Sequence, residues 1–297
     1  MMFGKILKTG FIGLLLAGVL LTGACDKGSD SASTATDHAT AGSASAAAEQ
    51  PSATAPADVA QRDVVSDRLP YGEVGDELVY GYFVFPSDML EPLPAVIVIH
   101  EWWGLTDDVR AMSDRLASEG FIVLAVDLFG GETSDTPGLA RNLMAAVIED
   151  PDTAAENIAS AVDFVQSTAG APRIGMLGYG LGGGLVLDSA ISYGDDLDAA
   201  VLYYGHVQSD QGKLLPISAP LLGLFGAGDR AVSTESVEKF RDAMQKLRKN
   251  FEVIIYPGAG TDFASPQSNN YDAALVEKAW QKSLEFLRLH LSVSDST

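Results

Sequence analysis

The pattern of apolar and polar positions changes three times along the chain. Lys5 and Lys8 precede an apolar run from Phe11 to Leu21, and Leu21-Thr22-Gly23-Ala24-Cys25 follows it. A short positive region, an apolar stretch and then small residues form a secretory signal. The run is too short for a stable spanning helix, which needs about 20 residues. From 26 to about 60 the chain is rich in Ser, Ala and Thr, as in Ser43-Ala44-Ser45-Ala46-Ala47-Ala48. With no periodic bulky face to bury, that tract is predicted to be a disordered tether.

From about Asp63 to Leu291 the pattern alternates between strand and helix. Glu77 to Phe85 is aromatic and β-branched, and Ala95 to His100 is a continuous apolar run, as in a strand buried on both faces. Phe121 to Val126, Arg173 to Leu177, Ala199 to Tyr204, Leu221 to Phe225 and Phe251 to Tyr256 also read as strands. Helices are predicted from Asp107 to about Ser118, Gly138 to about Ile148, Thr153 to about Thr168, Gly182 to Ser192, Thr234 to Leu247 and Tyr271 to Leu291. This alternation implies an α/β fold, a mainly parallel sheet with helices on both faces. The organisation expected is a signal peptide over 1–24, a lipidated Cys25 and tether over 25–62, and one domain over 63–293. In such sheets ligands bind at the carboxyl ends of the strands. Four of those ends carry unusual residues: His100-Glu101-Trp102-Trp103-Gly104, Gly178-Tyr179-Gly180-Leu181-Gly182-Gly183, Phe225-Gly226-Ala227-Gly228-Asp229 and Gly258-Ala259-Gly260-Thr261-Asp262-Phe263.

Composition narrows the function. With 19 Lys and Arg against 40 Asp and Glu, the formal charge is −21. That argues against nucleic acid as a partner and against charge-driven adhesion to anionic membranes. One cysteine excludes an intramolecular disulfide, a Cys-rich zinc site and a Cys-ligated iron–sulfur cluster. His38, His100, His206 and His290 lack metal-ligand spacing, so neither metal nor cofactor is expected. The sole cysteine, Cys25, stands at the processing site and resembles a bacterial lipobox, with Thr22 where Leu is usual. The protein is therefore expected to be exported and lipid-anchored to the bacterial cell envelope, touching membrane through Cys25 only.

Gly178, Gly180 and Gly183 fit G-x-G-x-x-G between strand and helix. The dinucleotide-binding fingerprint, however, opens the first βαβ unit, and this turn comes late. The frame Gly178-Tyr179-Gly180-Leu181-Gly182 also fits a nucleophile elbow, G-x-S-x-G, whose middle residue here carries no nucleophile.

Over about 70 to 291, these segments in order resemble the dienelactone hydrolase family of the α/β-hydrolase fold. The carriers are His100-Glu101-Trp102-Trp103-Gly104-Leu105, Ala125-Val126-Asp127-Leu128-Phe129, the elbow, Tyr203-Tyr204-Gly205, Gly228-Asp229 and Tyr256-Pro257-Gly258-Ala259-Gly260. The resemblance implies a Cys–His–Asp triad with a Glu beside the thiol. Asp229 and Glu101 match the acids, but Gly180 holds the Cys position and Thr261 the His position. The oxyanion amides would fall on Trp102 and Leu181. Ser265 replaces an Arg that recognises a substrate carboxylate.

Gly180 cannot attack an acyl carbon, and Thr261 cannot act as a base near neutral pH. Three readings stay open. One is a degenerate homologue, non-catalytic or weakly catalytic, that binds a small ligand or partner in the former active-site cleft. Another is a hydrolase of esters or lactones using water with Glu101 or His206, the latter placed with Tyr203 at the cleft. The last is a structural or interaction protein of the envelope. An open cleft above Gly180 lined by Glu101 and His206 favours the first two; one filled by Trp102, Trp103 or Tyr179 favours the third.

Overall fold

A computed structural model describes residues 62–292, and Cys25, the signal segment and the tether lie outside them. Eight strands form one sheet: β1 (Val64–Val74), β2 (Glu77–Pro86), β3 (Ala95–Ile99), β4 (Ile122–Val126), β5 (Ile174–Tyr179), β6 (Ala199–Tyr203), β7 (Leu221–Gly228) and β8 (Phe251–Gly260). Their order is β1-β2-β4-β3-β5-β6-β7-β8. β1 pairs antiparallel with β2, and β2 with β4; every other pairing is parallel. This is the mainly parallel α/β sheet that the alternation predicts, and it fits the α/β-hydrolase fold that the resemblance implies.

The five residues of β3 are fully buried, and they split between two cores. Ile97 and Ile99 pack with α3 (Pro151–Asp163), α4 (Leu181–Tyr193) and α6 (Thr234–Lys246). Val96 and Val98 pack with α1 (Asp107–Ser118) and α7 (Ala273–Leu291) on the other face. A strand covered on both sides needs no polar alternation, which is why β3 reads as an unbroken apolar run. Among the described residues the remaining α-helices are α2 (Pro137–Glu149) and the single turn α5 (Gln211–Leu214). Among the described residues no helix is long and apolar enough to cross a membrane.

The order reverses at β3, since β4 lies on one side of it and β5 on the other. Such a switch point opens a crevice beyond the strand ends. Here the crevice lies between the residues after Ile99 and the turn from β5 into α4. The turn is unusually close to the sheet. A Cβ on Gly182 would lie 2.1 Å from the Ile99 carbonyl oxygen, so only glycine lets α4 start there.

Several elements depart from expectation. β1 is an edge strand whose first residues are mostly exposed, and its pairing shifts between Pro70 and Gly72, so it lacks a clear apolar signature. The helix expected to run to Thr168 ends at Asp163 and gives way to a π-helical turn, Phe164–Thr168. β8 continues beyond Tyr256 to Gly260, where Gly260 pairs with Gly228. α7 starts at Ala273 rather than Tyr271, because the Asp272 carboxylate accepts the amides of Ala274 and Leu275.

Candidate functional site

The turn after β3 is pinned from behind. His100 is fully buried, with its Nε2 accepting the Leu128 amide at 3.1 Å. That leaves Nδ1 to donate to the Glu101 carbonyl at 2.7 Å. Both ring nitrogens are used, so His100 is a neutral brace of the backbone. Burial, the largest influence, also lowers its pKa.

Glu101 is 7% exposed, and its Oε2 has no hydrogen-bond partner among the described residues. Burial pushes its carboxyl up to about 8; Ser265 opposes the rise, and the charges of Asp262 and Asp108 add to it. At neutral pH Glu101 is thus a neutral acid. Trp102 and Trp103 follow with ring centroids 4.7 Å apart, Trp103 buried and Trp102 only partly so.

Opposite them stands the elbow. Gly180 has φ +50° and ψ −109°, the strained geometry of a strand-to-helix nucleophile turn. Its amide donates to the Tyr203 carbonyl and its carbonyl accepts the Gly184 amide. Leu181 is the first residue of α4, so its N–H lies among the donors that a helix leaves free. A Cβ on Gly180 would meet Glu101 Cβ at 3.6 Å and the Tyr204 ring at 3.7 Å, ordinary contact distances. The position has room for a side chain and lacks one.

Thr261 and Asp229 meet as triad partners would. The Thr261 hydroxyl donates to Asp229 Oδ1 at 3.0 Å and accepts the Arg230 amide at 2.9 Å. Asp229 Oδ1 also accepts the amides of Ala231 at 2.7 Å and Val232 at 3.1 Å. The acid therefore organises its own loop. Beside it, Asp262 sits in the left-handed region at φ +55°, which Asp tolerates better than most residues. Its carboxyl is pushed up to about 6, chiefly by burial and then by the charge of Asp229.

Two cavities flank the elbow. A cleft of about 650 Å³ is lined by Gly180, Leu181, Trp102, Tyr204, Thr261 and Asp262, with Met144, Val147 and Ile148 of α2 among its apolar walls and Asp188 and His206 at its polar edge. The second, about 270 Å³, lies towards α1 and α7 and is lined by Glu101, Tyr179, Tyr203, Arg115 and Trp280 among others. Tyr204 lines both. The expected grouping is corrected in two respects. Glu101 faces the smaller cavity, not the cleft above Gly180 with His206. Tyr203 is likewise no cleft residue: it is 1% exposed and its hydroxyl is bound to Ser283 of α7 at 2.8 Å. Ser265 is buried as well.

The sequence and the fold are similar to those of known proteins. The sequence model described as the dienelactone hydrolase family matches residues 79–291. The chain belongs to the dienelactone hydrolase family. A provisionally named carboxymethylenebutenolidase of Escherichia coli (strain K12) is 31% identical over 223 residues, covering 70% of this chain and 81% of that one. The crystal structure of a provisionally named dienelactone hydrolase from Klebsiella pneumoniae superposes with TM-score 0.63 at 26% identity, covering 76% of this chain and 98% of that one. A dienelactone hydrolase-like promiscuous phosphotriesterase from metagenomic libraries shares the fold with TM-score 0.71 at 21% identity, covering 77% and 99%. This is a dienelactone hydrolase-family member, and the family is one of hydrolases.

In this family member Gly180 and Thr261 both line the cleft, Asp229 is bonded to Thr261, and the cleft's imidazole is that of His206. Asp262 and the α2 wall escaped the sequence reading. Asp262 was legible only as the neighbour of Thr261, and α2 carries no motif that marks it as a cleft wall.

Proposed function

We propose that this dienelactone hydrolase-family member is an exported lipoprotein, anchored through Cys25, whose domain binds a small, largely apolar ligand in the cleft above Gly180 without turning it over. The observation that carries the reading is the Asp229–Thr261 pair. The acid that would orient a catalytic imidazole accepts a threonine hydroxyl and two loop amides instead, while the elbow residue that lines the cleft with Thr261 is glycine. Acyl transfer through a covalent intermediate needs both a nucleophile and a base, and neither position supplies one. The cleft nonetheless has the size and apolar lining of a small-molecule site. An open cleft also favours a ligand over a purely structural role.

The test is to expose the full chain to an activated aryl ester and a small lactone, following both binding and product. Quenching of tryptophan fluorescence with no product is the expected result. Turnover that disappears in Glu101→Ala would replace this reading with a second one, water-based hydrolysis assisted by Glu101. That second reading draws on a single fact, the neutral buried acid beside the elbow. The anchor is tested separately. Metabolic labelling with a palmitate analogue is expected to mark the protein, and Cys25→Ala to abolish the mark; equal labelling of both would refute the anchor.

A further inference from the structure

The charges around the cleft are one-sided. Among the residues that line it there is no lysine or arginine; its acidic and basic side chains are Asp188, Asp262 and His206, beside the phenol of Tyr204. Asp188 has compensation close by, since His206 and Lys213 both act on its carboxyl. Asp262 has none: it forms no salt bridge among the described residues, and the charge that acts on it is the like charge of Asp229. Asp229 is bonded to Thr261 and does not itself line the cleft, but its like charge acts on the partly buried Asp262, and a cation on the cleft side of Asp262 would relieve that repulsion.

The rest of the lining is independent of these acids. Trp102 offers an aromatic side chain of the kind that attracts cations. Among the described residues Tyr204, 3% exposed, has a hydroxyl with no partner, and the Trp102 Nε1 is likewise unpartnered. Buried polar groups are ordinarily satisfied, so those orphaned near a cavity mark where a ligand completes the set. Leu181, the first residue of α4, lines the same cleft, and the N–H groups that a helix start leaves free suit a carbonyl oxygen.

We propose that the cleft selects organic cations, an amine or quaternary ammonium carried on an apolar body, with Asp262 as the residue that recognises the charge. The proposal rests on the reading that the cleft binds a small ligand and specifies the ligand's chemical class.

Three probes with a shared phenyl body test it by titration calorimetry on the full chain: the phenethylammonium cation, neutral 2-phenylethanol and the 3-phenylpropanoate anion. The cation is expected to bind about ten-fold or more tightly than the alcohol, and the anion most weakly. Asp262→Asn should remove the cation's advantage, weakening the cation far more than it changes the alcohol. Asn keeps the shape and tolerates the left-handed backbone, so the variant is expected to fold; an unchanged circular dichroism melt verifies this. Should it not fold, Asp262→Gly, which is free of backbone strain there, reads the same loss. Equal binding of cation and alcohol, preference for the anion, or an advantage that survives loss of Asp262 would each overturn the charge selection and leave the ligand-binding reading standing. Binding of none of the three would overturn that reading itself.

Discussion

Gly180→Cys combined with Thr261→His is expected to create ester and lactone hydrolysis, with kcat/KM raised roughly 10²–10³-fold over the parent. The elbow already holds the required backbone, φ +50° and ψ −109°, and a Cβ there would sit 3.6 Å from its nearest neighbour outside the turn. An imidazole at 261 would face Asp229, whose Oδ1 now lies 3.0 Å from the Thr261 hydroxyl. The Leu181 amide stands ready for the developing oxyanion at the start of α4. Each single substitution should give little, because nucleophile and base act as a unit. The cost is backbone strain, since cysteine at positive φ is unfavourable by about 1–3 kcal/mol and glycine is not. Steady-state kinetics of the four proteins, with thermal melts, measure both effects. A folded double variant as inert as the parent would show that the cleft has changed by more than two side chains.

The central strands were legible in the sequence because burial on both faces removes any need for alternation; the β3 residues Ala95 to Ile99 are the clearest case. The elbow was legible because glycines follow a strand, and the positions of Gly178 and Gly182 have a steric cause: a Cβ on either would collide with backbone of the same turn or of β3. Other features were set by tertiary contacts that leave no local mark. β1 exposes much of its surface at the sheet edge, so its residues show no apolar period. β8 runs on through Pro257 to Gly260 because Gly228 pairs with it, not because its composition favours a strand. The sequence puts Glu101 at a strand end, but the side of the sheet it faces depends on how the chain turns through Gly104, whose φ is +89°. For that reason Glu101 was expected in the cleft and instead lines the smaller cavity.

That burial makes Glu101 the source of the largest expected pH effect on stability. Its carboxyl moves from 4.5 to about 8 on folding, so the folded state holds a proton that the unfolded chain releases. For a carboxyl raised in this way, the favourable contribution is complete below about pH 4.5. It is lost progressively as the pH rises towards 8 and changes no further above it. The window spans about 3.5 units, equivalent at most to about 5 kcal/mol. Glu101→Gln removes the titration and keeps the shape. It is therefore expected to be close to neutral at pH 4.5 and stabilising by up to about 5 kcal/mol at pH 9, measured by urea unfolding at both pH values. An amide in place of the neutral acid introduces a constant offset, which cancels between the two pH values. Asp262 and the other titrating groups are common to both proteins and largely cancel as well. A difference between variant and parent that does not change with pH would mean that Glu101 stays ionised in its pocket. The neutral acid beside the elbow would then be lost, and with it the one fact behind water-based hydrolysis.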